Sequence, residues 1–198
     1  MASQRQLGIA MIQYAADHKG WAQPNVYTTM PGMPSGFGTA KGPMVLIGFD
    51  YLPEHRWVSR FPPGPERVGY ACPEYGRYEG ETSYGLETGG FITNFFLGYK
   101  YKDNGVSPLV WTSYWPFNDP AARRNLLASP RPARLLIWVD GSNDGAAGWG
   151  IYPESPPGTQ TGFFYRHLHG LNVAFSDGHV RHFSDGLLSG DHGIEFQQ

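Results

Sequence analysis

The sequence predicts an α+β domain in which an N-terminal amphipathic helix packs on an antiparallel β-sheet with long loops. Three observations lead to this fold class: helical spacing of apolar residues near the N-terminus, short apolar runs typical of strands, and a closing Asp-Gly hairpin. The 198 residues suit one compact domain. Because glycine (27) and proline (17) are frequent while charged residues make up only 16%, turns and loops must form much of the chain.

The first predicted element is the helix, over residues 3–18, SQRQLGIAMIQYAADH. Its helically spaced positions are Leu7, Met11, Tyr14 and His18. Gly20 stands where a helix stop is expected. The pattern is already running close to Met1 with no capping box ahead of it, so we expect the helix to begin upstream of this sequence. We assign residues 1–20 to the helix and 21–198 to a single globular domain.

The middle of the chain combines long loops with short apolar strands. Residues 21–42 are rich in Pro, Gly, Met and Thr and predict a surface loop. The run PMVLIGF (43–49) predicts a short buried strand, and TSYGLETGGFITNFFLGYKY (82–101) predicts further short strands around a Gly-rich break. RPARLLIWVDG (131–141) predicts the central strand, because a continuous apolar run is bounded by proline and an Asp-Gly turn.

The closing unit, LNVAFS-DG-HVRHF, predicts a β-hairpin with Asp177-Gly178 as a two-residue type I′ turn. In that register the facing pairs are Ser176 with His179, Phe175 with Val180, Ala174 with Arg181, and Val173 with His182. His179 and His182 then fall on opposite faces of the hairpin. This arrangement argues against one zinc ion held by both.

Composition excludes several classes of function. The net charge is −2 and the fifteen basic residues are scattered, so nucleic acid is not an expected partner. The longest wholly apolar runs, such as Leu135 to Val139, are too short to cross a bilayer. Motifs of serine hydrolases, zinc proteases and phosphate-binding loops do not occur. The single cysteine, Cys72, cannot form an internal disulfide.

Four landmarks occur in a fixed order along the chain: RQLGIAMIQYAADHKGW, then YACPEY followed by SYG, then SPRPARLLIWVDG, then His167 separated by nine residues from Asp177-Gly178. Together they resemble the prepilin-like proteins with a C-terminal His-x9-Asp-Gly signature, abundant in planctomycetes, verrucomicrobia and lentisphaerae. The motif residues here are Cys72, Pro73, His167, Asp177 and Gly178.

The resemblance implies a type IV pilin-like protein. Such a protein has a processed N-terminal segment, a long helix whose first half lies in the inner membrane, and a C-terminal globular domain in the periplasm or at the cell surface. The hydrophobic half is not in this sequence, and membrane contact is expected only through it. Relatives often carry a cysteine just ahead of the stretch matching RQLGIAM, so we expect Cys72 to have lost a disulfide partner; a solitary buried thiol is the alternative.

Two groups of residues are candidate metal ligands, for zinc or calcium. His167 and Asp177 form one, although Asp177 is also needed by the turn and His167 can simply bond backbone. DGSNDG (140–145) forms the other, with Asp140, Ser142 and Asp144 at alternate positions as in a calcium loop. Its second half does not comply, because position 12 is Ile151, and a plain turn is the alternative.

Aromatic and acidic clusters complete the candidates. Trp111, Tyr114 and Trp115 in VWTSYWPF could stack on sugars or form an interface, or could fill the core. The glutamates of YEGETSYGLE are expected to be solvated charge.

Three functions follow from these candidates. The leading hypothesis is a non-enzymatic pseudopilin of a type II secretion or type IV pilus-like filament, contacting other pilin-like subunits through its helix, and secreted cargo. The alternatives are a polysaccharide-binding module that uses the aromatic residues with calcium, and a metal-dependent hydrolase that uses His167, Asp177 and Asp140.

Overall fold

The computed structural model of the chain describes residues 2–23, 26–27, 40–41, 43–52, 72, 74, 90–94, 125–141, 167 and 170–184. The elements in chain order are α1 (Ala2–Asp17), β1 (Val26–Tyr27), β2 (Ala40–Lys41), α2 (Pro43–Gly48), β3 (Phe91–Thr93), a 3-10 turn (Leu126–Ala128), β4 (Leu136–Asp140), β5 (Leu171–Phe175) and β6 (Val180–Phe183). Strands β3-β4-β5-β6 form one antiparallel sheet in that order, and β1 pairs with β2. The predicted α+β fold class is therefore confirmed.

Helix α1 packs on the central strands β4 and β5. Its buried residues recur every three or four positions and are Gln4, Leu7, Gly8, Ala10, Met11, Tyr14 and Ala15. Leu7 and Met11 share a core with Ile137, Trp138 and Ala174 of the sheet. Burial of each large apolar side chain contributes about 1.5–3 kcal/mol, so tertiary packing, more than intrinsic propensity, stabilises this helix. The predicted amphipathic helix is confirmed.

The helix ends where the sequence predicts, one turn before Trp21. Lys19 and Gly20 have positive φ angles of 59° and 86°, and the Gly20 N–H donates to the Ala15 carbonyl at 2.6 Å. A Cβ at Gly20 would collide with the side-chain amide of Asn125. Glycine is thus required here both by the backbone angle and by the close approach of a second segment.

The strand predicted over residues 43–49 is wrong, because Pro43–Gly48 is a short helix. Proline suits the first helical turn, where its missing N–H costs nothing. Beyond the helix end, Asp50 takes the left-handed conformation with φ 62°. The Tyr51 N–H donates to Leu46 O at 2.9 Å and the Asp50 N–H donates to Ile47 O at 3.0 Å, so the last turn is capped. A short apolar run has no periodicity that separates a strand from a buried helix.

Strand β4 is the central strand that the sequence predicts, and all five of its residues are buried. Its outer neighbour β3 begins directly after Gly90, whose φ is 83°. The Asn94 side chain donates to Leu136 O at 2.8 Å and so extends the pairing of β3 with β4. No helix in the described part of the chain is long and apolar enough to span a membrane.

The hairpin forms, but the predicted register is wrong by one residue. The observed pairs are Leu171 with Phe183, Asn172 with His182, Val173 with Arg181, and Ala174 with Val180. The turn holds three residues instead of two, since the Phe175 N–H donates to His179 O at 3.0 Å and only Gly178 in the turn has positive φ, 89°. This is the geometry of a type I turn followed by a left-handed glycine.

The sheet buries apolar side chains on a second face as well. Six residues at most 3% exposed form a cluster separate from the core under α1: Leu136, Val139, Leu171, Val173, Phe175 and Phe183. His179 stacks on Phe175 of this cluster, with ring centroids 4.3 Å apart, whereas the His182 ring contacts Asn172. The two histidines therefore do not share a site.

Candidate metal centre

Three chemically reactive side chains meet at one end of the sheet. His167 Nε2 lies 3.3 Å from Cys72 Sγ and 3.4 Å from Asp140 Oδ2. Donor atoms of all three residues lie within 4.8 Å of one another. Cys72 and His167 are 95 residues apart in sequence, so the fold alone creates this group.

The sheet topology explains why Asp140 and His167 are neighbours. Asp140 is the last residue of β4, and β4 pairs antiparallel with β5. His167 forms a β-bridge with Gly170 just before β5. The His167 nitrogen lies 3.1 Å from Gly170 O, and the Gly170 nitrogen lies 2.8 Å from His167 O. The C-terminal end of β4 and the residues just before β5 therefore lie at the same end of the sheet.

Gly170 allows close packing at this end of the sheet. A Cβ there would collide with the Phe183 carbonyl and with the imidazole of His182. The absence of a side chain allows the segment that carries His167 to run directly against the end of β6. Glycine at such a point serves the close approach of two backbones.

The carboxylate of Asp140 is fully buried, at 0% exposure. Its Oδ2 accepts the Asn172 backbone N–H at 2.7 Å, and its Oδ1 accepts the Gln4 amide at 3.3 Å. The same Gln4 nitrogen donates to Asn172 O at 2.7 Å, and this hydrogen bond joins α1 to β5 at this end of the sheet. Among the described residues, His167 is the only contact of this carboxylate that can carry positive charge. A buried carboxylate needs such compensation, because its transfer from water is costly.

The geometry opposes a cysteine nucleophile. In a Cys-His-Asp catalytic arrangement the thiol and the carboxylate bind opposite nitrogens of the imidazole, so that the carboxylate orients the base. Here Cys72 Sγ and Asp140 Oδ2 both approach Nε2. Cys72 is also only 1% exposed, which leaves a substrate little access to its sulfur. Convergence on one point is the arrangement of metal ligands, or of an imidazole N–H shared between two acceptors.

The donor set fits zinc and not calcium. Metal–ligand bonds of about 2.0–2.3 Å in a tetrahedral zinc site place neighbouring donor atoms about 3.3–3.6 Å apart. The two contacts to His167 Nε2, at 3.3 and 3.4 Å, match that spacing. Calcium takes six to eight oxygen ligands, whereas this group offers sulfur, nitrogen and one carboxylate. His167 is partly exposed, with 24% of its side chain accessible, and so gives the group a side open to solvent.

Asp177, which the sequence paired with His167, lies elsewhere. Its Oδ1 accepts the His179 backbone N–H at 3.1 Å and contacts the His179 ring. The whole of β5 separates Asp177 at the turn from His167 before the strand. The fold therefore does not bring these two motif residues to a common metal, because the turn at Asp177-Gly178 is at the opposite end of the hairpin.

The remaining predicted site residues lie outside the described residues. These are Pro73 of the motif, Ser142 and Asp144 of the calcium-like loop, and the aromatic residues Trp111, Tyr114 and Trp115. Sequence reasoning missed Gln4 and Asn172, which carry no motif, and did not consider Cys72 as a ligand. The available signal was that Cys72 and His167 are both landmarks of one resemblance.

In comparisons with known proteins, no family model, curated protein or solved structure matches the chain.

Proposed function

We propose that this chain is the globular part of a pilin-like envelope protein, a pseudopilin associated with a type II secretion or type IV pilus-like filament. In this proposal a hydrophobic extension of the helix anchors the protein in the inner membrane. The globular part lies in the periplasm or at the cell surface, where it contacts secreted cargo or partner subunits.

One observation carries the proposal. Cys72 and His167 belong to separate landmarks of the prepilin-like resemblance, and the fold places Sγ and Nε2 3.3 Å apart. Landmarks that occur together by chance have no reason to meet across 95 residues. Their contact supports the view that the landmarks define one structural unit. The helix packed on an antiparallel sheet is the architecture that the resemblance implies.

Helix α1 offers a surface for neighbouring subunits. Four of its exposed side chains are Arg5, Gln6, Ile9 and Gln13. Arg5, Gln6 and Ile9 also line an open groove beside the hairpin turn. Ile9 is 44% exposed and is one of the few large apolar side chains at the described surface. A helix with one face on its own domain and an accessible opposite face suits lateral packing in a filament.

The test places a photo-crosslinking amino acid at Ile9 or Gln13 in the full-length protein, expressed in its native cells. We expect a ladder of adducts between copies, or with other pilin-like subunits, after irradiation. The matched control position is Arg181, which is exposed on β6 and points away from α1. Monomer alone at both helix positions, or equal adducts at Arg181, would rule the proposal out.

A further inference from the structure

We propose that Cys72, Asp140 and His167 form a binding site for one Zn²⁺ ion. The proposal is independent of the pilin-like function, since it depends only on the geometry of these side chains. The thiolate sulfur, one carboxylate oxygen and the imidazole Nε2 are the three protein ligands. The fourth tetrahedral position is on the solvent side of His167 and is filled by water.

Charge balance favours a divalent ion at this site. With Cys72 as thiolate and Asp140 ionised, the two buried ligands carry two negative charges, and a neutral imidazole adds none. Zn²⁺ neutralises them and displaces the thiol proton, which is released to solvent. Both Cys72 and Asp140 are at most 1% exposed, so an uncompensated charge here would be costly.

The surroundings of the ligands resemble those of built metal sites. The Asn172 backbone N–H and the Gln4 amide orient the Asp140 carboxylate, as outer hydrogen bonds orient metal ligands. Gln4 is 1% exposed, and its Oε1 finds no hydrogen-bond donor among the described residues. This unpartnered acceptor belongs to the amide that touches Asp140.

The ion would join four separate segments of the chain. Its ligands come from the region of Cys72, the end of β4 and the approach to β5, and Gln4 adds α1 through the outer hydrogen bond. A single zinc ion would therefore stabilise the domain as a cross-link, much as a disulfide does.

The first measurement uses the wild-type chain, freed of metal with EDTA and then titrated with Zn²⁺ or Co²⁺. We expect one Zn²⁺ per chain by elemental analysis and a rise in melting temperature that Ca²⁺ does not produce. Bound Co²⁺ should show a thiolate charge-transfer absorption band. Because Cys72 is the only cysteine, that band can arise at no other residue.

The variants Cys72→Ser and His167→Ala should each lower the Zn²⁺ affinity by about 100-fold or more, since even loss of an outer hydrogen bond costs about 10–100-fold. His179→Ala is the matched control, because His179 is exposed at the hairpin turn. It should bind Zn²⁺ as the wild type does.

Two outcomes would overturn the proposal. One is a folded wild-type chain, shown by circular dichroism, that gives no cobalt–thiolate band. The other is a Zn²⁺ affinity that falls equally in His167→Ala and His179→Ala, which indicates scattered surface binding. Neither result bears on the crosslinking experiment, so failure of the zinc site and failure of the pilin-like function are distinguishable.

Discussion

At the scale of single residues, Asp140 shows how a charge and a hydrogen bond can be separated by mutation. Asp140→Asn keeps an oxygen that accepts the Asn172 N–H, but its NH2 group cannot accept the Gln4 amide, so we expect the metal-free protein to lose about 1 kcal/mol of unfolding free energy. Asp140→Leu leaves that buried N–H unsatisfied and should cost about 1–3 kcal/mol. Urea denaturation in EDTA measures both values. An Asn variant as unstable as the Leu variant would show that the charge itself stabilises the fold.

Tyr51 provides a pH-dependent prediction. Burial, the hydrogen bond from its hydroxyl to Asp17 Oδ2 at 2.9 Å and the negative charge of Asp17 raise the pKa of Tyr51 from 10.0 to about 12. The folded state thus favours the neutral phenol, and this stabilisation is complete below pH 10 and is lost between pH 10 and 12. The difference in unfolding free energy between wild type and Tyr51→Phe should shrink over that interval. A constant difference from pH 9 to 12 would contradict the assignment.

At the scale of elements, alanine at a glycine inside α1 and alanine at the glycine that follows its end should change the stability in opposite directions. A Cβ at Gly8 would meet Ala174 Cβ and Ile137 Cδ1 at 3.8 Å each, which is ordinary contact. Gly8→Ala should therefore stabilise the protein by about 0.5–1 kcal/mol, the usual gain from alanine in a helix interior. Gly20→Ala should destabilise it, because φ is 86° and Asn125 occupies the space. Thermal melts of the two variants should shift in opposite directions, and a loss of stability in Gly8→Ala would show that α1 sits closer to the sheet.

The same elements show how far local sequence determines structure. Helix α1 and strand β4 were predictable, because periodicity and a bounded apolar run are local signals. Residues 43–48 were not, since a six-residue apolar run suits either element. The hairpin register depended on whether the turn held two or three residues, and Asp-Gly suits both. Asp140 and His167 were recognisable as candidate ligands, but their meeting with Cys72 depends on contacts distant in sequence.

At the scale of the whole molecule, the zinc site predicts a pattern of coupled stability. One ion would join the ends of β4 and β5 to each other and, through Gln4, to α1. Chelation should therefore lower the hydrogen-exchange protection of β4, β5 and α1 together. Helix α2 is the internal control, because the hydrogen bonds of the described residues join it neither to the three ligands nor to Gln4. We expect its amides to change least between Zn²⁺ and EDTA.

The variant Gln4→Met separates this coupling from binding itself. Methionine has a similar length but loses the donor to Asp140 and Asn172. Zn²⁺ should still bind, with an affinity reduced by about 10–100-fold, because the three ligands remain. At saturating Zn²⁺ the protection of β4 and β5 should recover, while the amides of residues 6–9, the first in α1 with intrahelical hydrogen bonds, stay less protected. Full recovery of α1 would contradict the coupling, since it would show that apolar packing alone holds the helix to this end of the sheet.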